Sequence, residues 1–190
     1  MIGTTKQYDA DFDFTWEVLT DFFNQKGIQR ALDAIEDNGV TGWEKWWQIE
    51  LALYLSDHED VAGWNMEERF YTDLRRSVEK DSIAVDLSFR RKRCAKDAWI
   101  FLELKQDADG KRCIDNMLRD AKKVFGAHSR SHEGATVRSF FVAGIYLSES
   151  SESKKDVHDY IADRLSELEM EESRAKTQFI AGTPYSLTMF

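Results

Sequence analysis

Apolar positions recur along the chain with two different periods, and the change of period marks its elements. Over residues 11–39 the spacing is helical: Phe14, Val18, Leu19, Phe22 and Phe23 share a face, and Ile28, Ala31, Leu32 and Ile35 repeat it. Gly27 is a candidate break between two helices, and Asn38-Gly39 reads as a stop. The segment 43–55, WEKWWQIELALYL, predicts the clearest helix, with Trp43, Trp46, Trp47, Leu53 and Tyr54 on one stripe. Glu50 falls in the middle of that stripe and Glu44 on its flank beside Gln48. A polar loop is expected over 56–65.

The period then shortens. Ile83, Val85, Leu87 and Phe89 alternate with Ala84, Asp86, Ser88 and Arg90, the signature of a strand. Residues 98–105, AWIFLELK, predict a second strand, so the two form a hairpin around the basic stretch 90–96. Residues 66–78 read either as a short helix capped by Asn65 and Glu68 or as a strand starting at Met66. Further on, Ile114, Met117, Leu118, Ala121 and Phe125 predict a helix over 112–125, ended at Gly126. A polar loop over 127–135, a buried strand over 137–147, a serine-rich loop, a helix over about 154–172 and a short strand after Thr177 complete the pattern. Helices, strands, helix, strand, helix in that order predict an α/β fold: a mixed central sheet flanked by helices. At 190 residues with one Pro and no low-complexity linker, the chain is expected to be a single domain.

Composition narrows the chemistry. Aromatics reach 13% and hydrophobic residues 42%, enough for a large core, so disorder is excluded as the overall state. The net charge of −9 argues against holding nucleic acid by bulk charge alone. Cys94 and Cys113 form neither a CxxC pair nor a disulfide framework. Met1 to Asp13 lack a secretory pattern, and no apolar run is long enough for a membrane span. A cytoplasmic protein without a membrane partner is the expectation.

The candidate chemistry lies on the hairpin. Period-two alternation puts Glu103 and Lys105 on one side of their strand, and the hairpin can bring Asp86 beside Glu103. Two adjacent carboxylates repel and call for a cation. Hard oxygen ligands favour Mg²⁺ or Mn²⁺, with the Leu104 carbonyl as a third donor. Lys105 can then orient or deprotonate water, or stabilise charge on a phosphate. A metal-activated water is the usual nucleophile for phosphodiester hydrolysis.

This arrangement, Asp86 in SIAVDLSF with Glu103-Leu104-Lys105 in WIFLELK, resembles the PD-(D/E)XK nuclease superfamily and its restriction-endonuclease-like fold. The resemblance covers residues 43–147: a helix at 43–55, a strand meander at about 66–105, a helix at 112–125 and a strand at 137–147. It implies that 66–73 is the first strand, that residues 1–40 are a helical addition, and that 148–190 add a helix and tail. One departure is Ala84-Val85 before Asp86, where the family often has a Pro or a Gly-rich approach. Many members carry a Glu on the first helix. Glu50 fits, because a carboxylate inside an aromatic stripe is costly unless ligated or paired; Glu44 is the alternative. Gln106 follows the motif directly, as in some nuclease branches, where it touches a phosphate.

The resemblance implies a Mg²⁺-dependent nuclease, endonuclease or exonuclease, acting on DNA, with Asp86, Glu103, Lys105 and Glu50 catalytic and Asp86, Glu103 and Leu104 on the metal. Arg90, Arg91, Lys92 and Arg93 would form a phosphate-contacting wing beside Gln106. A homodimer is compatible with the family. The alternative is an inactive member of the same fold that binds protein as an inhibitor, immunity or regulatory protein; an acidic surface suits it. A zinc site from His128, His132 and the cysteines lacks a recognised ligand spacing, and Asp107-Ala108-Asp109-Gly110 reads as a turn rather than a calcium loop, since Leu118 stands where a calcium loop needs Glu. The Trp stripe reads as core, with base stacking by one exposed Trp as its functional alternative.

Overall fold

The computed structural model describes residues 5–71, 82–125, 130–131, 136–148, 151–167 and 175–190. His128, His132, residues 72–78 and the end of the expected last helix lie outside them. The chain runs α1 (Thr5–Phe23), α2 (Lys26–Asp37), α3 (Glu44–Asp57), β1 (Val61–Tyr71), β2 (Ser82–Arg91), β3 (Ala98–Gln106), α4 (Gly110–Phe125), β4 (Arg130–Ser131), β5 (Thr136–Leu147), α5 (Ser151–Glu167), β6 (Lys176–Phe179) and β7 (Tyr185–Met189). The architecture is α/β, as the change of period predicts.

The strands form one mixed sheet. β1, β2 and β3 make an antiparallel meander, β3 runs parallel to β5, and β7 and β6 continue antiparallel beyond β5. The two-residue β4 bonds to both β1 and β5. A parallel pair needs a crossover, and α4 supplies it between β3 and β5.

Alternation along β3 sorts the core into two layers. Ile100, Leu102 and Leu104 point to the side covered by α1, α2 and α3, where they meet Leu19, Phe22, Leu32, Trp47 and Leu51. Phe101 points to the other side, where α4 and α5 pack through Ile114, Met117, Ile161 and Leu165. Burial of this apolar surface on both faces is what a sheet with a parallel pair requires. Glu103 and Lys105 share the parity of Phe101, so they rise on the α4 side.

Several elements differ from the sequence pattern. The break in the first helical run falls at Asn24-Gln25, and Gly27 lies inside α2. Residues 61–65 belong to β1 rather than to a loop. The helices over 5–37 precede the sheet, as expected, and pack into the main core, to which α1 contributes Phe12, Phe14, Val18, Leu19, Phe22 and Phe23. The C-terminal tail supplies two strands, and Val142 exchanges backbone hydrogen bonds with Phe190 at 2.9 and 3.1 Å.

The stripe on α3 is also rotated from expectation. Its buried side is Trp47, Gln48, Leu51, Ala52 and Leu55, while Leu53 is 56% exposed and Ile49 is 44% exposed. At about 100° per residue, Glu44 sits at the centre of that buried side and Glu50 about 120° away from it. The aromatic residues misled the pattern because Trp43 is the residue before the helix, and Trp46 and Tyr54 are only partly covered. Large rings pack well at the edge of a covered face, so they mark its direction poorly. Trp43 and Trp47 are buried, which leaves no exposed ring at either for base stacking.

No helix among the described residues is long and apolar enough to cross a membrane.

Candidate active site

The hairpin brings Asp86, Glu103 and Lys105 together. Register between β2 and β3 runs Leu87 to Leu102 and Ser88 to Phe101, which carries Asp86 to the level of Glu103 and Leu104. There Asp86 Oδ2 accepts a hydrogen bond from the Leu104 N–H at 2.8 Å. A side chain thus takes a position that a ladder carbonyl would hold. The pairing of β1 with β2 passes over Glu67 and Asp86, and Glu67, on β1, has φ 55. Gln48, buried on α3, donates its Nε2 hydrogen to the Asp86 carbonyl at 2.5 Å and satisfies what the ladder leaves open. Gln48 Oε1 accepts from Lys45 Nζ at 2.7 Å, and Lys45 also pairs with Glu67.

Lys105 is the centre of the cluster. Its ammonium donates to Glu103 Oε1 at 2.8 Å, to the Leu104 carbonyl at 2.9 Å and to Asp120 Oδ2 on α4 at 3.0 Å. The fourth carboxylate is Glu44, whose Oε2 accepts the Gln106 N–H at 3.1 Å. Four carboxylates therefore surround one ammonium, and its charge offsets one of them.

The titration of each group reflects that imbalance. Burial pushes Glu103 up to about 7, and repulsion from Asp86 adds to it against the pull of Lys105. Burial also raises Asp86, opposed by the Leu104 N–H and by Lys105. Glu44 is raised by burial and by Asp86, with Lys105 and the Gln106 N–H opposing. For Lys105, burial acts to lower the value, but the Glu103 carboxylate prevails and the lysine is raised, so it is a cation throughout the physiological range.

The structure corrects two expectations about the site. Glu50 does not reach it: the helix rotation that buries Glu44 carries Glu50 away, so Glu44 is the helix carboxylate. The basic segment does not border the carboxylates either. Arg90 and Arg91 belong to β2 itself, and only the residues after them form the turn. Arg91 is five residues beyond Asp86, about 16 Å along a strand. Its guanidinium donates to the Ala10 carbonyl at 3.1 Å, lies 3.6 Å from Asp11 and stacks on Phe14 at 4.4 Å, which ties it to α1. Arg90 lies over Trp99. Lys92 and Arg93 are exposed at the turn. Gln106 enters the cluster through its backbone N–H.

Sequence reasoning missed Asp120. Its signal was present: Cys113, Met117 and Asp120 follow at i, i+4 and i+7, so the acid lies on the apolar stripe of α4.

Asp86, Glu103 and the Leu104 carbonyl are hard oxygen donors, the type that Mg²⁺ or Mn²⁺ prefers. In this arrangement the Lys105 ammonium, itself a cation, rests on two of them, Glu103 Oε1 and the Leu104 carbonyl. Among the described residues no three His, Cys, Asp or Glu side chains converge to hold one metal ion. Loading a metal on Asp86, Glu103 and the Leu104 carbonyl therefore requires Lys105 to shift. No family model, curated protein or solved structure matches this chain.

Proposed function

We propose that the chain is a Mg²⁺-dependent nuclease of the PD-(D/E)XK type that hydrolyses DNA phosphodiester bonds. The observation that carries this reading is the contact cluster at one end of the β2–β3 hairpin: Asp86 bonded to Leu104, Glu103 bonded to Lys105, and Glu44 bonded to Gln106. The antiparallel meander, the crossover helix and the parallel β3–β5 pair support it as a fold.

In this reading Asp86, Glu103 and the Leu104 carbonyl hold the metal. When bound, the metal would supply a polarised water and charge neutralisation at the phosphate. Asp86 is held in place by the Leu104 N–H, so its second oxygen is available as a ligand. Glu44 orients or accepts from the water. Lys105 places its positive charge beside the phosphate where negative charge builds up in the transition state.

The test is an assay with Mg²⁺ on linear, circular and single-stranded DNA, comparing wild type with Lys105→Ala. Cleavage by wild type that is lost in the variant supports the reading; equal inactivity of both on every substrate refutes it.

A second reading is a catalytically inactive member of the same fold that binds protein. Two observations favour it: Lys105 occupies the cluster from within, paired with Glu103 and Asp120, and Val40, Ile49 and Leu53 present exposed apolar side chains. Absence of Mn²⁺ binding in solution would favour this alternative.

A further inference from the structure

Lys105 has three oxygen acceptors among the described residues, and they are not equivalent. Glu103 Oε1 and the Leu104 carbonyl are oxygens that the proposed metal needs. Asp120 Oδ2 is not on either metal-bearing strand; it comes from α4 at 3.0 Å. A divalent cation on Glu103 and Leu104 removes two of the three partners of the ammonium and adds a positive charge nearby. Coulomb repulsion at that range would drive the lysine away from the cluster unless an anion on the far side holds it.

The fold builds that anion in deliberately close. β3 and β5 pair Lys105 with Gly144. A Cβ at Gly144 would run into Met117 and, at 2.9 Å, into Cys113 Sγ, both on α4. The missing side chain lets α4 approach the sheet at the level of Lys105. Cys113 Sγ lies 3.9 Å from the Lys105 carbonyl, and Asp120, two turns on, meets the ammonium. The side chains of Lys105 and Asp120 are only 16% and 17% exposed, so the pair is shielded from solvent.

We infer that Asp120 is a positioning residue for Lys105: it retains the ammonium at the site when a divalent cation takes Glu103 and the Leu104 carbonyl. This inference rests on the metal-dependent reading above. Its consequence is an exchange in which the cation displaces the lysine from two oxygens while Asp120 keeps it within reach of the phosphate. Asp120 itself touches neither metal nor substrate.

The experiment uses the full chain as wild type, Asp120→Asn and Asp120→Glu. Mn²⁺ affinity is measured from the paramagnetic signal of free Mn²⁺, and acylation of Lys105 by an amine-reactive ester is followed by peptide mass spectrometry with and without Mn²⁺. Cleavage is measured at saturating Mg²⁺ as kcat and KM separately. The expected result is Mn²⁺ affinity in Asp120→Asn within about threefold of wild type, since no ligand is lost. Mn²⁺ then raises Lys105 acylation on the order of tenfold in Asp120→Asn and little in wild type, because the one carboxylate bonded to the amine that the cation does not take is gone. kcat falls on the order of 10- to 100-fold with KM nearly constant, and Asp120→Glu recovers much of it.

A tenfold loss of Mn²⁺ affinity in Asp120→Asn would make Asp120 a metal ligand and overturn the inference. Wild-type acylation and kcat in that variant would overturn it while leaving the nuclease reading intact. A wild-type protein that neither binds Mn²⁺ nor cleaves any DNA overturns both.

Discussion

The Glu44 carboxylate accepts the backbone N–H of Gln106 at 3.1 Å, which fixes the start of α3 against the end of β3. With α3 turned so, Glu44 and not Glu50 is the helix glutamate at the cluster. Replacing Glu44 by Gln keeps the shape and removes the charge; under the proposed function, cleavage should fall on the order of 10- to 100-fold. Glu50→Gln should stay within about twofold of wild type, because Glu50 lies about 120° around the helix. Steady-state cleavage of a fluorescent duplex checks both, and a larger loss in Glu50→Gln than in Glu44→Gln would reverse the assignment.

Glu103 gives a stability signature without metal. Its value is raised from 4.5 to about 7 in the folded chain. The native state therefore holds a proton that the unfolded state has released between those two values, and stability from this group is present below pH 4.5 and lost as pH rises to about 7. The loss is up to about 3 kcal/mol. Urea unfolding in chelator should show Glu103→Gln gaining on wild type between pH 5 and pH 8. Parallel stability curves would contradict this.

Asp11 has no exposed surface, and its carboxylate accepts Arg138 Nε at 2.6 Å, Arg138 Nη2 at 3.1 Å and Ser139 Oγ at 2.8 Å. This pair pins α1 to β5. Arg138→Ala leaves a buried carboxylate without its main counter-charge and should cost about 3–5 kcal/mol. The double change Asp11→Asn with Arg138→Met should cost clearly less, since it removes the stranded charge. Chemical denaturation of the three proteins decides it, and equal losses would mean that the ion pair is not what holds α1.

The turn after β2 tests where DNA would lie. Lys92 and Arg93 are exposed there, beyond Arg91, which is itself about 16 Å along the strand from Asp86. Reversing both charges should weaken DNA binding and lower the slope of log affinity against log salt by about one for each phosphate contact removed. kcat should not change. Binding by fluorescence anisotropy across a salt series provides the measurement; an unchanged slope would mean that the turn does not contact phosphate.

Much of this was legible in the residues. Alternation in 83–89 and the apolar, aromatic run in 98–105 placed the hairpin, because a period of two has no other regular solution in a half-buried segment and such a short run suits a buried strand. The same alternation put Glu103 and Lys105 on one side, and the structure joins them at 2.8 Å. The helix glutamate was not legible. Trp43, Trp46 and Tyr54 drew the apolar stripe toward themselves, while the covered side of α3 is set by the sheet beneath it. The basic wing misled for a similar reason: sequence proximity to Asp86 did not separate the two ends of a strand.

The sequence by itself determined the local elements and the side of each strand, since these follow from backbone geometry over a few residues. It also determined the candidate triad of Asp86, Glu103 and Lys105. Only the tertiary structure decided that Glu44 and Asp120 complete the cluster. Both arrive from helices whose rotation and approach depend on packing, the first on the covered face of α3 and the second on the gap left by Gly144. Such contacts join residues 62 positions apart in the case of Glu44 and Gln106, and no local periodicity encodes that separation.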